Sequence, residues 1–327
     1  MAISRDFAYG IPKAELHLHL EGTLEPDLKL KLAKKNGIDI GQESVEEVEA
    51  SYQFDSLSSF LAVYYPAMNV LQDEDDFYAL GSAYFARAKE NGVVRAECFF
   101  DPQAHTTRGV ELGAVIRGYY RAVEEARENG LSADLILCFL RDMSADSALE
   151  TLRAALPYKD MFVGVGLDSD ERDNPPQKFA EAFDLARENG LRVTMHCDID
   201  QVGSIDNIRT ALTKLGAERL DHGTNIIEAP ELVKLVVEKG IGLTSCPMSN
   251  SFVTDDMKSK EIVELLGRGV KVSINSDDPA YFGGYIADNF LALAEKKNLT
   301  KDQVAQLARN SIEISWAEDS ERSAMLD

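Results

Sequence analysis

Eight short apolar runs, each closed by polar or glycine residues, constrain the fold of this chain more than any other feature of its sequence. Continuous apolar runs of this length are typical of strands that are buried on both faces, as in a parallel sheet. We therefore predict eight strands. They are Ala14–Leu20, Val93–Asp101, Asp134–Leu140, Phe162–Asp168, Arg192–Asp198, Arg219–Gly223, Gly242–Cys246 and Lys271–Asp277.

Helical periodicity fills the stretches between these runs, and several of the helices end at an Asn-Gly or Lys-Gly pair that suits a helix C-cap. The clearest stretches are Asp75–Glu90, Val110–Glu128, Gln177–Glu188, Glu231–Lys239 and Ile262–Arg268. Strands that alternate with helices predict an α/β chain, folded as a (β/α)8 TIM barrel. An open doubly wound sheet is the alternative. It is disfavoured because no G-x-G-x-x-G or Walker turn follows any of the runs.

Extra helices are predicted after the first strand, over residues 26–65. This insertion contains Phe54, Leu57, Phe60, Tyr64 and Tyr65, an apolar set that we expect mainly to pack against the barrel. An insertion at this position also lies near the rim where strands end, so we expect it to serve partly as a lid.

Composition limits the classes of protein to which the chain can belong. With 327 residues and 45% hydrophobic content, it can bury one large core, and we expect a single domain over residues 1–327. A net charge of −22 argues against nucleic-acid partners, because a protein without a basic face gains nothing from counterion release. We interpret the acidic surface as an aid to solubility. The sequence does not specify an oligomeric state.

Localisation is predicted from what the sequence lacks. Residues 1–10 show neither an apolar signal core nor a basic lead-in, and no uncharged apolar stretch reaches membrane-spanning length. We therefore expect a soluble cytoplasmic protein that does not bind membranes. The cysteines fit this expectation, because they fall inside predicted strands without forming a C-x-x-C pair and are expected to be buried, reduced thiols. They are Cys98, Cys138, Cys197 and Cys246.

Metal-binding side chains stand at the ends of three predicted strands. His17 and His19 share one face of the first strand by alternation, and alone they could be a hydrogen-bonded core pair. His196 ends the fifth strand and Asp277 the eighth, and the carboxyl ends of barrel strands meet at one rim. Three imidazoles and a carboxylate indicate a catalytic Zn²⁺ site that is open to water, although Fe(II), Mn(II) or Co(II) would fit the same ligands. We predict one ion per chain, because residues 162–168 contain no lysine that could bridge a second.

Two further residues are candidates for proton transfer at this rim. His222 could take a proton from the attacking water, with the adjacent Asp221 holding its ring, or it could be a core histidine. Asp278 faces away from Asp277 by alternation, so it is either a capping carboxylate or, if the rim bends, a second base. His105 lies in a loop, where we expect surface or loop hydrogen bonds.

Several segments resemble the adenosine/adenine deaminases of the amidohydrolase superfamily, and the resemblance extends over nearly the whole chain. The segments that carry it are Pro12–Gly22, Leu220–Gly223, Cys246–Asn250 and Ser276–Pro279. Two others, Phe99–His105 and Gly166–Ser169, resemble the bacterial branch of this group that acts on free adenine.

The resemblance implies a role for each of these positions. Zinc would be bound by His17, His19, His196 and Asp277, while His222 handles the attacking water and Asp278 engages hydroxide and substrate. The reaction would be addition of hydroxide to C6 of a 6-aminopurine and loss of ammonia, leaving the 6-oxopurine. Gly166 and Asp168 would bind the substrate. Glu21 occupies a position where nucleoside-acting relatives carry an aspartate that faces the ribose, and its longer side chain would crowd a sugar, which favours the free base.

One segment departs from the family pattern. Family members carry H-A-G-E after the fifth strand, and this glutamate protonates the purine ring. Ile199 replaces it here. Loss of a general acid costs about 10²–10⁴-fold in rate. Alternation from His196 points Asp198 inward if the strand persists, whereas Asp200 would need a shifted loop, so we predict Asp198 as the acid.

The same departure leaves two alternatives to adenine deamination. The first is deamination of an N6-substituted adenine or another aminated heterocycle whose ring needs a different donor. The second is a metal-binding barrel without catalysis, which is disfavoured because the candidate ligands, His222 and Asp278 are all present.

Overall fold

Eight parallel strands form a barrel in the computed structural model, which describes residues 2–197, 200–254 and 256–327. Each strand pairs with the next along the chain, and a bridge between Leu18 and Asp277 joins the last strand to the first. The predicted (β/α)8 TIM barrel is therefore confirmed. The strands are β1 (Lys13–Glu15), β2 (Val93–Phe100), β3 (Ser132–Leu140), β4 (Gly164–Asp168), β5 (Arg192–Cys197), β6 (Arg219–His222), β7 (Gly242–Ser245) and β8 (Val272–Ile274).

Helices surround the barrel and begin with the capping residues that the sequence offers, for example Ser56 before the helix Leu57–Ala67 and Thr300 before the helix Lys301–Glu313. They are α1 (Arg5–Gly10), α2 (Pro26–Asn36), α3 (Val45–Ala50), α4 (Leu57–Ala67), α5 (Glu74–Glu90), α6 (Pro102–Thr106), α7 (Leu112–Glu128), α8 (Ala145–Ala155), α9 (Ala180–Glu188), α10 (Ser204–Thr210), α11 (Pro230–Lys239), α12 (Pro247–Thr254), α13 (Ser259–Gly267), α14 (Pro279–Phe282), α15 (Ile286–Lys297), α16 (Lys301–Glu313) and α17 (Asp319–Leu326). Among the described residues, no helix combines the length and apolar character needed to cross a membrane.

The first and last strands are shorter than the sequence predicts. Beyond β1 the chain bends at His17 and pairs only through single bridges, from Leu18 to Asp277 and from His19 to Phe99. At the first of these bridges the amide of His19 donates to the carbonyl of Asp277. Asp277 itself has φ 64°, in the left-handed region, which a regular strand cannot continue through. The strand pattern therefore stops at Ile274, and the residues after it turn toward the barrel axis.

The predicted insertion forms α2, α3 and α4. Phe60 and Tyr64 of α4 are buried, and Phe60 stacks obliquely on Phe282 of α14 with ring centroids 4.8 Å apart. Since α14 follows β8 directly, this contact fixes α4 above the carboxyl rim of the barrel. The insertion therefore both packs and covers the rim.

The opposite end of the barrel is filled by a charged network and the segment after α16. Glu97 of β2 lies 3.0 Å from Arg95 and also pairs with Arg219 of β6, and its carboxylate accepts the backbone N–H of Trp316. The Arg219 guanidinium lies 4.3 Å from the centroid of the Trp316 ring. Gly164 makes room for this ring, because a Cβ there would approach it to 2.6 Å.

Candidate active site

A cavity opens at the carboxyl ends of the strands, beneath α4. Its floor is polar and includes His19, His196, His222, Asp277 and Asp278. Its walls are largely apolar and include Leu57, Phe60 and Leu61 of α4, Val253 of α12 and Phe282 of α14. A concave site with apolar walls and a few converging polar groups is the usual form of a small-molecule site.

The four predicted metal ligands meet at this floor. One ligand atom from each of His17, His19, His196 and Asp277 lies within 4.8 Å of the other three. Oδ1 of Asp277 is 3.4 Å from Nε2 of His17 and 3.5 Å from Nε2 of His19. Nε2 of His19 in turn lies 3.1 Å from Nε2 of His196. Nitrogen and oxygen donors converging in this way, all of them buried, fit a divalent transition metal such as zinc.

Two of the floor residues have strained backbones. Asp277 and His222 have φ values of 64° and 57°, in the left-handed region that side chains with a Cβ seldom adopt. Such a conformation costs about 1–3 kcal/mol per residue and is found mostly at functional sites. In both residues it directs a side chain at the end of a strand into the cavity.

A buried carboxylate beneath the floor orients two of the imidazoles. Asp221 accepts hydrogen bonds from Thr194 (2.7 Å) and Thr244 (2.9 Å), and its Oδ2 lies 3.7 Å from Nδ1 of His196. Thr244 also contacts Nδ1 of His17 at 2.9 Å, which leaves Nε2 of that ring to face the cluster. The expectation that Asp221 holds the ring of His222 is therefore wrong. Alternation along β6 sends these neighbouring side chains in different directions.

His222 and Asp278 both line the cavity. Nε2 of His222 is 3.7 Å from Oδ2 of Asp277, and the side chain is 11% exposed. Asp278 turns inward rather than capping a helix, and its Oδ1 accepts no hydrogen bond from the described part of the chain. Gly22 permits this approach, because a Cβ there would come within 2.0 Å of that oxygen.

Burial dominates the protonation of the floor. It lowers the pKa of His19 and of His222 to about 4, against the attraction of Asp277, and lowers the pKa of His196 well below its usual value. These imidazoles are therefore neutral at physiological pH, which is the form that binds metals. For Asp277, burial would raise the pKa, but His17 outweighs it and holds the pKa well below the ordinary range. Burial and the neighbouring Asp277 raise the pKa of Asp278 well above that range.

A second pair of acids, Asp101 and Asp168, lines the same cavity. Oδ2 of Asp168 lies 3.4 Å from Nδ1 of His19. Burial raises the pKa of Asp168 to about 7, and burial together with the charge of Asp168 raises the pKa of Asp101 well above its usual value. The sequence analysis proposed Asp168 but missed Asp101. The signal was present, because Asp101 also ends an apolar run, between Phe100 and Pro102.

Two of the residues expected to bind substrate do not reach the cavity wall. Glu21 is fully buried behind it, where Oε1 lies 2.8 Å from Nε2 of His105. Gly166 is also buried below the wall, and a Cβ there would meet the sulfur of Cys138 at 2.5 Å. His105 is buried rather than at the surface, because Glu21 provides it with a partner inside the protein.

Of the two candidates for the missing ring acid, the structure describes Asp200 alone. Asp198 and Ile199 lie outside the described residues. Asp200 directs its half-exposed carboxylate to Nζ of Lys258 at 2.6 Å, and its amide donates to Asn225. Asp200 is thus paired with a lysine and is not among the residues that line the cavity.

Comparisons with known proteins agree with this geometry. The sequence model described as adenosine deaminase matches residues 12–327. A protein named adenine deaminase from Hahella chejuensis is 49% identical over 325 residues, which cover 98% of this chain and 97% of that protein. The crystal structure of an adenine deaminase from Arthrobacter aurescens is 44% identical, with a TM-score of 0.93, and the match covers 97% of this chain and 98% of that one.

A second solved structure adds a metal to the comparison. It is an amidohydrolase from Burkholderia ambifaria with bound zinc, 27% identical with a TM-score of 0.88, and the match covers 99% of this chain and 92% of that one. The family model matches all of the described strands and the residues of the metal cluster. The chain therefore belongs to the adenosine deaminase family.

Proposed function

We propose that this protein is a metal-dependent hydrolase that deaminates free adenine to hypoxanthine and ammonia. The observation that carries the proposal is the convergence of His17, His19, His196 and Asp277 on the floor of a cavity that His222 and Asp278 also line. The names of the relatives from Hahella chejuensis and Arthrobacter aurescens support adenine as the substrate.

We further propose one Zn²⁺ per chain, held by the same four residues. The zinc in the Burkholderia ambifaria relative supports the choice of metal. A divalent ion at this position would lower the pKa of a bound water to about 7 and so supply hydroxide at neutral pH. Asp221 and Thr244 would keep His196 and His17 in the orientation that directs a ring nitrogen at the ion.

The chain's own residues would then divide the remaining work. His222 takes the proton of the attacking water at Nε2, the nitrogen that faces Asp277. Asp278 engages the attacking oxygen and the substrate from the adjacent part of the floor. Leu57, Phe60 and Leu61 of α4 exclude bulk water from the cavity and strengthen these interactions.

Protonation of the purine ring is the remaining step. We propose Asp198 as the acid, because strand alternation continued from His196 predicts an inward side chain at this position. The ion pair between Asp200 and Lys258 supports this choice, since it engages the other nearby carboxylate.

Two broader proposals accompany the activity. Residues 1–327 would work as one domain, because a barrel buries its strands only when they pack together. The protein would act in the cytoplasm, where buried thiols such as Cys98, Cys138 and Cys246 stay reduced.

The direct test is turnover of adenine by purified, zinc-loaded protein, followed by loss of aminopurine absorbance and by release of ammonia. We expect turnover in the wild type. Protein stripped with a chelator and the Asp277→Ala variant should lose both bound zinc and activity. A zinc-loaded protein that leaves adenine unchanged but deaminates N6-methyladenine, cytosine or an aminopteridine would contradict the proposed substrate. A protein that binds no divalent ion would contradict the proposed site.

A further inference from the structure

Asp101 presents a buried carboxyl group to the cavity. Its residue is 1% exposed and lies between β2 and α6, yet its side chain does not cap that helix. Oδ1 of Asp101 and both side-chain oxygens of Asp168 accept no hydrogen bond from residues 2–197, 200–254 or 256–327. A buried acceptor without a donor is costly, so residues placed in this way usually face a ligand that provides one.

The two acids lie on the far side of His19 from the metal ligands. Nε2 of His19 faces Asp277, whereas Nδ1, at the other side of the same ring, lies 3.4 Å from Asp168. Asp101 and Asp168 nevertheless line the same cavity as His222 and Asp278. A planar heterocycle with its reacting carbon at the metal cluster therefore extends past His19 toward the two acids.

The positions of the N–H groups on a free 6-aminopurine indicate which part of the substrate reaches Asp101 and Asp168. Such a base carries N–H groups at only two places, the exocyclic amine and the imidazole half of its ring system. The amine is attached to the carbon that reacts at the metal cluster, so it points away from Asp101. The ring N–H is the remaining donor, and a carboxylate is a strong acceptor for it.

We infer that Asp101, backed by Asp168, accepts a hydrogen bond from the imidazole-ring N–H of the substrate and thereby selects the free base over its nucleoside. The inference rests on the proposed function and adds a residue that decides specificity. In a nucleoside a sugar replaces this N–H, which leaves the acids without a donor and places a bulky group against them. A site built to bond a polar group rejects an analogue that lacks it far more strongly than an apolar pocket does.

Glu21 supports this assignment from behind the wall. The sequence analysis expected Glu21 to exclude a sugar by its length, but the structure directs its carboxylate away from the cavity. Its Oε1 accepts the backbone N–H of Asp101 at 3.3 Å as well as bonding His105. Glu21 is therefore a positioning residue for Asp101, and selection against the sugar passes to Asp101 itself.

The test compares adenine with 9-methyladenine and 7-methyladenine as substrates of the wild type and of Asp101→Ala and Asp101→Asn. We expect Asp101→Ala to lower kcat/KM for adenine by about 10–100-fold, because it leaves the ring N–H buried without an acceptor. The same variant should keep or improve the rate with the methylated bases. The ratio of kcat/KM for adenine to kcat/KM for a methylated base therefore falls. Asp101→Asn keeps an acceptor oxygen and should retain more of the ratio. Asp302→Ala, which removes an exposed acid from the first turn of α16, is the matched control and should change neither rate.

A second measurement separates failure of this inference from failure of the proposed function. Binding of adenine and 9-methyladenine to the wild type and Asp101→Ala is measured by calorimetry, whether or not turnover occurs. If the wild type turns over adenine but Asp101→Ala keeps the same preference for adenine over 9-methyladenine, this inference is overturned and the proposed function is not. Loss of a second bound zinc from Asp101→Ala also overturns it, because the acids would then belong to a cation site with His19.

Discussion

The two ends of the barrel both bury charged side chains, but they treat them in opposite ways. At the amino end, Glu97 is surrounded by Arg95, Arg219 and the backbone N–H of Trp316. At the carboxyl end, oxygens of Asp101, Asp168 and Asp278 are buried without a hydrogen-bond donor among the described residues. Buried charges that are paired within the protein therefore stabilise the fold. Buried acids without a partner in the protein are available to bind a ligand.

One residue connects the two ends. Asp221 lies 3.8 Å from Nε of Arg219 below and 3.7 Å from Nδ1 of His196 above. The paired network at the amino end therefore also helps to fix the orientation of a candidate metal ligand. Substitutions at the carboxyl end should therefore change mainly activity, and substitutions at the amino end should change mainly stability.

The carboxyl end should lose activity without losing stability. His222→Ala should lower turnover of adenine by about 10²–10⁴-fold, because His222 is the proposed proton acceptor and the four metal ligands are untouched. Zinc content and the urea midpoint should match the wild type. Full activity in this variant would remove His222 from the mechanism, and loss of zinc would make it a ligand.

The amino end should show the reverse. Glu97→Gln leaves the buried guanidinium groups of Arg95 and Arg219 without their carboxylate and should lower the free energy of unfolding by about 3–5 kcal/mol, measured in urea. Turnover per folded, zinc-loaded molecule should stay within a few-fold of wild type. Glu90→Gln, in an exposed pair with Arg87, is the control and should change stability by less than about 1 kcal/mol. Equal stabilities for the two variants would show that the buried charges at the amino end do not stabilise the fold.

Variants of the two acids near His196 test which carboxylate at the carboxyl end protonates the substrate. Asp198→Asn should lower turnover by about 10²-fold, the lower part of the range for a general acid, because an amide cannot protonate the ring. Asp200→Asn should have little effect, since that carboxylate pairs with Lys258. Ile199→Glu should give no gain on adenine if Asp198 already supplies the proton. The reverse order of the two aspartate variants would assign the proton to Asp200.

The smallest expected effect is a pH dependence of stability at Asp101. Burial and Asp168 raise its pKa in the folded protein, whereas the unfolded chain releases the proton near the ordinary value of about 3.9. The folded state then binds more protons, so this residue makes stability fall as pH rises above that value. Asp101→Asn removes the effect. Its free energy of unfolding relative to wild type should therefore increase between pH 5 and pH 8, and a constant difference would contradict the raised pKa.

The sequence predicted the barrel because its strands are buried on both faces, which makes each one a continuous apolar run. It also predicted which side chains stand near the rim, since strand order alone places His196 and Asp277 there. The predicted bounds of β1 and β8 were wrong. Asp277 has a left-handed backbone and meets Leu18 only through an isolated bridge, and neither feature shows in the apolar pattern.

Side-chain partners were harder to predict than positions. Asp221 bonds Thr194 and Thr244, which lie on the flanking strands. The sequence pattern of a single strand does not contain these neighbours, so it predicted the adjacent His222 as the partner. Glu21 turns away from the cavity because His105, 84 positions later in the chain, lies within hydrogen-bond distance of it. Contacts of this kind arise from tertiary packing and leave no periodic signal along the sequence.

The segment that closes the amino end of the barrel also has a consequence for how the chain reaches its final form. Trp316 and Ile314 fill space left by Gly164 and Gly242, so the interior of the barrel is incomplete until these two residues are in place. A nascent chain that still lacks these residues leaves Arg219 of β6 without its aromatic cover, so cooperative folding of the barrel has to wait until they have been synthesised.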